Sequence, residues 1–397
     1  MELASRLTRF SEPETLKMAK LGRELRAQGH DVIDLSIGEP DFDVPEHVKE
    51  AAKKAIDENW SHYTPVAGYM DLREAVCYKF KRDNNLEYTA ENIVASTGAK
   101  QTLANVILSL VNEGEEVIIP TPYWVTYAAL VQLGKGIVKE IKTTPQSGYK
   151  ITPQELEAAI TPNSKAFLFS SPCNPSGAVY TKEELSALAD VFRKHPQVYI
   201  ISDEIYEYIQ YGGTHESIAQ FEGMKERTII VNGLSKGFAM TGWRLGFMAA
   251  PKDIAKACEK LQGQMTSGTN SVAQKAAVVA LTSSLDATME MVEEFGRRKN
   301  RVVELLSKIE GVELAIPDGA FYAFPVVKSH FGKKTPAGEL INNADDLCMY
   351  LLNTAHVSTV TGTAFGDGDC IRLSFANSMT NIEKALERIS KALKDLS

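Results

Sequence analysis

Short, strongly apolar segments recur through the middle of this chain, with longer amphipathic segments between them. They are rich in β-branched residues, as is typical of strands that are covered on both faces in α/β proteins. Five of them stand out: EEVIIP (115–120), KAFLFSSP (165–172), VYIISDEIY (198–206), RTIIVNGLS (227–235) and RLGFMAAP (244–251). The pattern predicts a mostly parallel, doubly wound α/β core from about 46 to 285.

Polar residues indicate where the intervening helices begin. Thr152 with Glu155, and Thr181 with Glu184, both fit a capping box. Pro153 occupies the first helical position of the first of these helices. The pattern therefore predicts helices starting directly after the two threonines.

The pattern changes beyond residue 290. A long charged helix, EEFGRRKNRVVELLSKI, is followed by the strand CIRLSFA and a closing helix, TNIEKALERISKALKDL. Thr380 and Glu383 are the predicted cap of the closing helix. Its predicted buried face consists of Ile382, Leu386, Ile389, Leu393 and Leu396.

This second region predicts a smaller α+β unit. We therefore expect residues 1–45 to form an N-terminal arm and part of the small domain. Residues 46–285 form the large domain in this scheme, and residues 286–397 complete the small one.

Composition and net charge argue against several classes of function and location. Of 397 residues, 44% are apolar and 24% charged, which is ordinary for a globular protein. The net charge of -8 argues against nucleic-acid and anionic-membrane partners, since both demand a basic surface. Charges throughout the first twenty residues disfavour a signal peptide, and no apolar run is long enough to span a bilayer. A cytoplasmic protein is expected.

Cysteine and histidine spacing gives no sign of a metal site. The five cysteines form no CxxC pair, which favours small buried side chains in a reducing compartment. The seven histidines show no metal-ligand spacing. No structural zinc is expected. The cysteines are Cys77, Cys173, Cys258, Cys348 and Cys370.

Four motifs follow predicted strands, where open α/β sheets place their ligand sites. They are STGAKQ (96–101), SSPCNPSG (170–177), SDEIY (202–206) and NGLSKGFAMTGWR (232–244). Each alone also fits an ordinary turn or helix start. Neither a GxxxxGK[ST] nor a GxGxxG motif occurs in the sequence.

Together these motifs fit one chemistry. Lys236, at a strand end in a site shielded from water, can lose its proton and condense with an aldehyde. Asp203 can keep a pyridine nitrogen protonated, which makes a pyridoxal ring an electron sink. The backbone N–H groups at a helix start, together with two side chains, could bind a phosphate. The negative charge of that phosphate would offset the free-energy cost of burying Arg244. That cradle comprises Gly98, Ala99, Lys100, Ser235 and Arg244.

Ordered motifs over essentially the whole chain resemble one family. They are SIGEPDFDVP, YTPVAGYMDLREA, STGAKQ, IIPTPYWVTY, SSPCNPSGAVY, SDEIYE, NGLSKGFAMTGWRLGF, DGAFYAF and CIRLSFA. The chain resembles the fold type I pyridoxal 5'-phosphate aminotransferases of class I and II. The likeness is strongest to bacterial aspartate aminotransferases of the branch that includes prephenate aminotransferases. The resemblance implies the fold of that family and a transferase using pyridoxal phosphate.

The resemblance also implies roles around the cofactor. Lys236 would join it covalently and then move the substrate Cα proton, and Asp203 would pair with the ring nitrogen. Asn174 and Tyr206 would hydrogen-bond the phenolate oxygen, favouring its charged form. Trp124 would stack on the ring.

Substrate and partner contacts follow from the same resemblance. Arg372 in CIRLSFA would grip the α-carboxylate, and Gly38 in SIGEPD would let the backbone close over the amino acid. Trp124 and Asn174 also border the substrate. Tyr63 would reach the phosphate of the neighbouring subunit, which implies a homodimer with shared active sites.

The distal carboxylate of a dicarboxylate substrate needs another cation. The segment TSGTNSVAQ holds no arginine for it. Lys100 is the nominee by resemblance, although a solvated lysine at a helix start is an equally good interpretation. Glu12 and Glu14 add negative charge nearby, which makes prephenate a less secure substrate than aspartate.

The leading hypothesis is transfer of the amino group of L-aspartate to 2-oxoglutarate, giving oxaloacetate and L-glutamate. An aromatic amino acid or prephenate aminotransferase is the alternative, and a β-lyase using the same lysine is less favoured. A regulatory binding module would carry a fused DNA-binding segment, which neither the termini nor the charge supplies.

Overall fold

The computed structural model describes residues 4–397, so the first three residues of the predicted arm lie outside it. The helices are α1 (Glu14–Ala27), α2 (Glu46–Asp57), α3 (Met70–Asn84), α4 (Ala99–Leu110), α5 (Thr126–Leu133), α6 (Pro153–Ala159), α7 (Lys182–Lys194), α8 (Lys252–Met265), α9 (Ser271–Thr282), α10 (Asp286–Leu306), α11 (Ala344–Tyr350) and α12 (Met379–Lys394). The strands are β1 (Ile33–Asp34), β2 (Ile93–Ser96), β3 (Glu116–Pro120), β4 (Ile137–Ile141), β5 (Ser164–Ser170), β6 (Tyr199–Asp203), β7 (Thr228–Gly233), β8 (Gly246–Ala249), β9 (Tyr322–Ala323), β10 (Val357–Ser358), β11 (Val360–Thr361) and β12 (Ile371–Ser374).

A seven-stranded sheet forms the centre of the large unit, in the order β2-β8-β7-β6-β5-β3-β4. The five predicted apolar segments become β3, β5, β6, β7 and β8. β8 runs antiparallel to both of its neighbours, so the expectation of parallel strands is wrong there. The connection from β7 to β8 holds no crossover helix, and without one a chain returns antiparallel.

Helices cover both faces of this sheet, as the doubly wound prediction requires. On one face, α4, α5 and α8 pack on side chains such as Ile229 and Val231 of β7. On the other, α2, α3 and α9 cover Ile230 of the same strand, and α6 and α7 cover Phe167 of β5. Burial on both faces explains why these strands are continuously apolar.

The smaller unit combines the two ends of the chain. β1 pairs in parallel with β10, Ile33 lying opposite Val357. β11, β12 and β9 form a three-stranded antiparallel sheet. One apolar core holds Met18 of α1 together with Phe295 of α10. The domain boundaries given above remain a prediction.

Two of the three predicted helix caps are confirmed. Thr152 and Thr181 form capping boxes at α6 and α7. The Thr380 cap is wrong: α12 begins earlier, because the extended Ser378 accepts a hydrogen bond from the backbone N–H of Asn381. Glu383 instead binds Arg301. The predicted apolar face of α12 is buried throughout.

All five cysteines are free thiols, and four of them are buried. Cys77 is partly exposed, so the buried interpretation is wrong for that residue. It lies at the margin of the buried face of α3, where it packs against the core without being enclosed. Within residues 4–397, none of the helices is both long and apolar enough to cross a membrane.

Candidate active site

A cavity of about 440 Å³ opens at the carboxyl ends of β5, β6 and β7, between the sheet and the small unit. It collects eleven of the thirteen predicted site residues: Gly38, Ala99, Lys100, Trp124, Asn174, Asp203, Tyr206, Ser235, Lys236, Arg244 and Arg372. Gly98 directly precedes Ala99 in the chain, and its backbone lies against the Arg244 guanidinium. Tyr63 is outside the cavity, with 98% of its surface exposed.

Lys236 follows the end of β7 and reaches into the cavity. Its Nζ donates a hydrogen bond of 2.5 Å to the backbone oxygen of Gly38. Burial lowers the pKa of Lys236 to about 8, helped by Arg372 and Arg244 and opposed by the charge of Glu39. About a tenth of this amine is therefore neutral, and nucleophilic, at pH 7, far more than for an ordinary lysine with a pKa of about 10.4.

Asp203 ends β6 and is 3% exposed. Its Oδ2 accepts a 2.6 Å hydrogen bond from the hydroxyl of Tyr127, and its Oδ1 accepts one from the backbone N–H of Ile205. Burial raises the pKa of Asp203 to about 6, although both hydrogen bonds favour the charged form. The carboxylate is therefore mostly ionised at neutral pH and is ready to pair with a cation.

Tyr206 is linked to the anion-binding side of the cavity. Its hydroxyl lies 2.7 Å from the hydroxyl of Tyr322. The Tyr322 ring lies 4.6 Å from the guanidinium carbon of Arg372. Burial, and then Tyr322, raise the pKa of Tyr206 well above its usual range, so it stays a hydrogen-bond donor.

Arg372, on β12, is 2% exposed and forms no ion pair within residues 4–397. Its Nη1 donates to Oδ1 of Asn174 at 3.0 Å, and its Nη2 donates to the backbone oxygen of Ser36. The buried Nε has no partner within residues 4–397. A cation held this way is costly unless an anion joins it, which indicates a binding site for a carboxylate. Since the Asn174 oxygen is engaged by Arg372, its NH₂ group is left to donate to a ligand.

The start of α4 provides a site for an anion. Gly98 has a φ of 83°, and a Cβ on it would collide with the Arg244 guanidinium. A Cβ on Gly246 would collide with the backbone nitrogen of Ala99, so glycine lets the helix start approach β8. The N–H of Gly98 already donates to the oxygen of Ser96 at 2.8 Å. The amides that remain for a ligand are those of Ala99 and Lys100.

Arg244 is exposed, so the expectation that it is buried is wrong. It follows a short 3-10 turn with a φ of 57°, and its Nη1 donates to the Thr241 oxygen at 2.8 Å. This turn carries the guanidinium out of the apolar run and over the start of α4. The apolar residues next to Arg244 in the sequence therefore do not indicate that its side chain is buried.

Lys100 and Trp124 meet at the cavity edge. The Lys100 Nζ lies 5.0 Å from the Trp124 ring centroid, and partial burial with nearby Arg244 lowers the pKa of Lys100. Trp124 is half-buried, with Tyr127 edge-on at 5.7 Å. Its position on the cavity wall suits a ring-stacking role. Ser235, buried beside Lys236, lines the same wall.

Sequence reasoning missed four residues that border this cavity. Tyr127 and Tyr322 lie within the motifs YWVTY and DGAFYAF, and their contacts with Asp203 and Tyr206 appear only in the folded chain. Glu39 follows Gly38 and binds Thr241. Arg23 lies on α1 at the mouth of the cavity. The position of Arg23 carried no motif signal.

Three potential metal ligands also converge outside the cavity, which the spacing had not predicted. Atoms of Glu204, Glu207 and His215 lie within 4.8 Å of one another. Two of these groups already have basic partners: Glu207 binds buried Lys79, and His215 Nε2 lies 3.0 Å from Glu204. The cluster is therefore an internal hydrogen-bond network of the large unit, built around the Lys79–Glu207 ion pair.

The family of this chain follows from a comparison with known protein families. The family model "Aminotransferase class I and II" matches residues 30–389. The chain belongs to the class I and II aminotransferases. Members of this family use pyridoxal phosphate, which agrees with a lysine amine, a buried carboxylate and an anion-binding helix start around one cavity.

Individual relatives match this aminotransferase over its full length. A probable aspartate/prephenate aminotransferase of Rhizobium leguminosarum bv. phaseoli is 42% identical over 392 residues, covering 98% of each chain. An aspartate aminotransferase of Rhizobium meliloti is 43% identical over 396 residues, covering 99% of this chain and 97% of the relative. The crystal structure of the aspartate aminotransferase from Rhizobium meliloti superposes with a TM-score of 0.96 at 42% identity, covering 100% of both chains. The predicted fold class is confirmed.

The residues present fit pyridoxal phosphate. Within residues 4–397 the Nε of Arg372 has no hydrogen-bond partner, and the Asn174 oxygen is occupied by Arg372, so both side chains have donors left for an anionic ligand. The glycine-formed cradle at Gly98 leaves backbone amides for a phosphate, with Arg244 beside it. Lys236 and Asp203 occupy positions suited to the aldehyde and the ring nitrogen.

Proposed function

We propose that this aminotransferase moves the amino group of L-aspartate to 2-oxoglutarate, giving oxaloacetate and L-glutamate. One observation carries the proposal: the depressed-pKa amine of Lys236, the buried carboxylate of Asp203 and the unpaired cation of Arg372 all border a single cavity. The two aspartate-named relatives at about 42% identity support this substrate choice.

When bound, pyridoxal phosphate supplies an aldehyde that joins amines and a ring that accepts the electron pair of the Cα–H bond. Asp203 would accept a hydrogen bond from the ring N–H and keep that nitrogen protonated. Asn174 and Tyr206 would donate to the phenolate oxygen. Ala99, Lys100, Ser235 and Arg244 would hold the phosphate, and Trp124 would pack on the ring face.

Lys236 carries the proton in the reaction. With the cofactor bound, its neutral amine would act as the general base that takes up the substrate Cα proton and would pass that proton on to the cofactor. Arg372 fixes the substrate α-carboxylate through its Nε and Nη groups, so that the Cα–H bond points at the amine. Gly38, whose oxygen already contacts Nζ, keeps the amine directed into the cavity.

The active unit in this proposal is a homodimer. Tyr63, which is almost fully exposed, is outside the cavity of its own chain and is free to reach the phosphate of a neighbouring subunit. Substrate binding draws the small domain, with Arg372 and α1, onto the large domain and excludes water.

A half-reaction tests the proposed function. L-Aspartate alone should convert the cofactor-loaded protein to its pyridoxamine form with one oxaloacetate released per site, and 2-oxoglutarate should reverse it. Lys236→Ala should lose the conversion by orders of magnitude, whereas the exposed Lys182→Ala should not change it. Release of pyruvate and ammonia would indicate a β-lyase and contradict the proposal.

The prephenate alternative keeps one specific support, since the Rhizobium leguminosarum relative is named for both substrates. To distinguish aspartate from aromatic substrates, prephenate is added to the pyridoxamine form of the enzyme and L-phenylalanine to the aldehyde form, and the rate of conversion is measured. Conversion by either at a higher kcat/KM than oxaloacetate or L-aspartate would make the aromatic function the principal one.

A further inference from the structure

We propose that Asp34 is a positioning residue for Arg372, an assignment that rests on the proposed role of Arg372 in binding the substrate α-carboxylate. Ser36 connects the two side chains. Its backbone oxygen accepts a hydrogen bond from Nη2 of Arg372. Its N–H and its hydroxyl both donate to Oδ1 of Asp34, at 2.8 and 2.6 Å. Asp34 therefore acts on Arg372 through the conformation of Ser36.

The Asp34 side chain makes the turn at Ser36. A carboxylate that accepts the backbone N–H two residues later forms an Asx turn, which restricts the backbone that it spans. The bond from the Ser36 hydroxyl to the same oxygen also fixes the Ser36 side chain. Ser36 is fully buried, so water cannot replace either bond. The direction of the Ser36 carbonyl thus depends on Asp34.

The segment that contains this turn is attached to the strand of Arg372. The N–H of Leu35 donates to the Ser358 oxygen at 2.9 Å, and the Leu35 oxygen accepts from the Ser374 N–H at 2.8 Å. Ser374 lies on β12, two residues after Arg372. The contact between Ser36 and Arg372 is therefore set within the small unit.

The same turn directs the chain into the cavity. All four residues from 36 to 39 line it. The Gly38 oxygen accepts the 2.5 Å hydrogen bond from Nζ of Lys236. Two backbone carbonyls in the segment that follows Asp34 therefore contact the two basic side chains that act on the substrate in the proposed function.

The charge of Asp34 and its hydrogen bonds have opposite effects on Arg372 as a carboxylate site. Burial lowers the pKa of Arg372, and Tyr322, Tyr206 and then Asp34 oppose that effect. A nearby carboxylate favours the charged guanidinium, but it also weakens the attraction of that cation for a second carboxylate. Loss of the charge alone should therefore strengthen binding of a substrate carboxylate, whereas loss of the turn should weaken it.

Asparagine can replace Asp34 without breaking the turn, since both residues form Asx turns. Oδ1 makes both bonds to Ser36, and Oδ2 accepts no hydrogen bond within residues 4–397. Oδ2 lies 3.8 Å from Nη2 of Arg26, which is held separately by a 3.0 Å bond from its Nε to the Val32 oxygen. Asp34→Asn therefore removes the charge and keeps the turn, and Asp34→Ala removes both.

Calorimetric binding of propionate to the cofactor-loaded protein tests this assignment, because propionate carries a single carboxylate. Asp34→Ala should raise its dissociation constant about tenfold. Asp34→Asn should bind propionate as tightly as the wild type or more tightly. Asp31→Ala is the matched control: it removes a surface carboxylate that binds Lys384 and Arg388, three residues earlier in the chain, and should change nothing.

Cofactor binding separates a positioning role from a general loss of structure. In Asp34→Ala the dissociation constant of pyridoxal phosphate from the apoprotein should change by less than about twofold, because the phosphate cradle lies on the large unit. Ser36→Ala keeps the N–H bond to Asp34 and loses the hydroxyl bond, so it should raise the propionate constant by about threefold. Added to Asp34→Ala, it should have no further effect.

Equal losses in Asp34→Ala and Asp34→Asn, tighter propionate binding in both, or a loss of cofactor affinity as large as the loss of propionate affinity would each overturn the assignment. So would wild-type propionate binding by Ser36→Ala, which decides the question if Asp34→Ala does not fold. Arg372→Lys tests the proposed function separately. If it binds propionate as tightly as the wild type, the α-carboxylate role of Arg372 fails; if it loses propionate while Asp34→Ala and Ser36→Ala bind normally, only the Asp34 assignment fails.

Discussion

The hydroxyl of Tyr127 donates a 2.6 Å hydrogen bond to Oδ2 of Asp203, and both residues line the candidate active-site cavity. Burial raises the pKa of Asp203 to about 6, and among the groups that oppose this rise the Tyr127 hydroxyl has the largest effect, followed by the backbone N–H of Ile205. In the proposed function, Tyr127 therefore influences the pH at which the carboxylate can pair with a protonated ring nitrogen. It acts through Asp203 as a positioning residue.

Tyr127→Phe should shift the acid limb of the kcat/KM profile upward by about one pH unit. The sign follows from the lost hydrogen bond, which favours the charged form, so that the pKa of Asp203 rises further in the variant. Tyr123→Phe is the matched control, since Tyr123 binds Glu140 outside the cavity. A profile of Tyr127→Phe that is lower in height but unmoved in pH would contradict this role.

Arg372→Lys should lower kcat/KM for L-aspartate by at least about thirtyfold, because an ammonium cannot form the paired hydrogen bonds that a buried carboxylate requires. The α-carboxylate is common to all amino donors, so L-leucine should suffer equally. Arg388→Lys, on the surface beside Asp31, provides the control and should remain near wild type. A loss confined to aspartate would assign Arg372 to the distal carboxylate instead.

Attachment of pyridoxal phosphate to the apoprotein should accelerate as the pH rises toward 8 and level off above it. Only the neutral amine attacks the aldehyde, and burial lowers the pKa of Lys236 to about 8. An ordinary lysine, with a pKa of about 10.4, would reach its plateau more than two units later. Stopped-flow absorbance measures the rate, and a rate still rising at pH 10 would contradict the lowered pKa.

Lys79→Met should reduce the free energy of unfolding by about 3–5 kcal/mol, because it leaves the buried carboxylate of Glu207 without its counter-charge. Asn84, which accepts from Lys79 Nζ at 2.7 Å, also loses a partner. Denaturant unfolding measures the change. Adding Glu207→Leu should recover much of it, and a double variant less stable than Lys79→Met would show that the buried pair is not the source.

The strand ends and their motifs could be located from the sequence because parallel strands covered on both faces are apolar throughout. This places Lys236 after β7 and Asp203 at the end of β6, as the structure does. The edge strand β4 was not among the predicted strands: IVKEI has two charged residues at its centre, and only its last residue, Ile141, is buried. The antiparallel direction of β8 depends on a connection whose path no local pattern describes.

The supporting residues could not be predicted, since their partners are distant along the chain. Tyr127 lies 76 residues from Asp203, and Tyr322 lies 116 residues from Tyr206. The Gly98 amide was expected to serve the phosphate, but the local turn uses it for Ser96. Arg23 carries no motif and becomes visible only when α1 is packed on β10 and β11.

Borohydride reduction of the cofactor-saturated protein, followed by peptide mapping, tests the central claim most directly. Reduction fixes the cofactor on the amine that holds it. The account predicts one pyridoxyl group per chain on the peptide that contains Lys236. An unmodified Lys236 peptide, with the label elsewhere or absent, would contradict it.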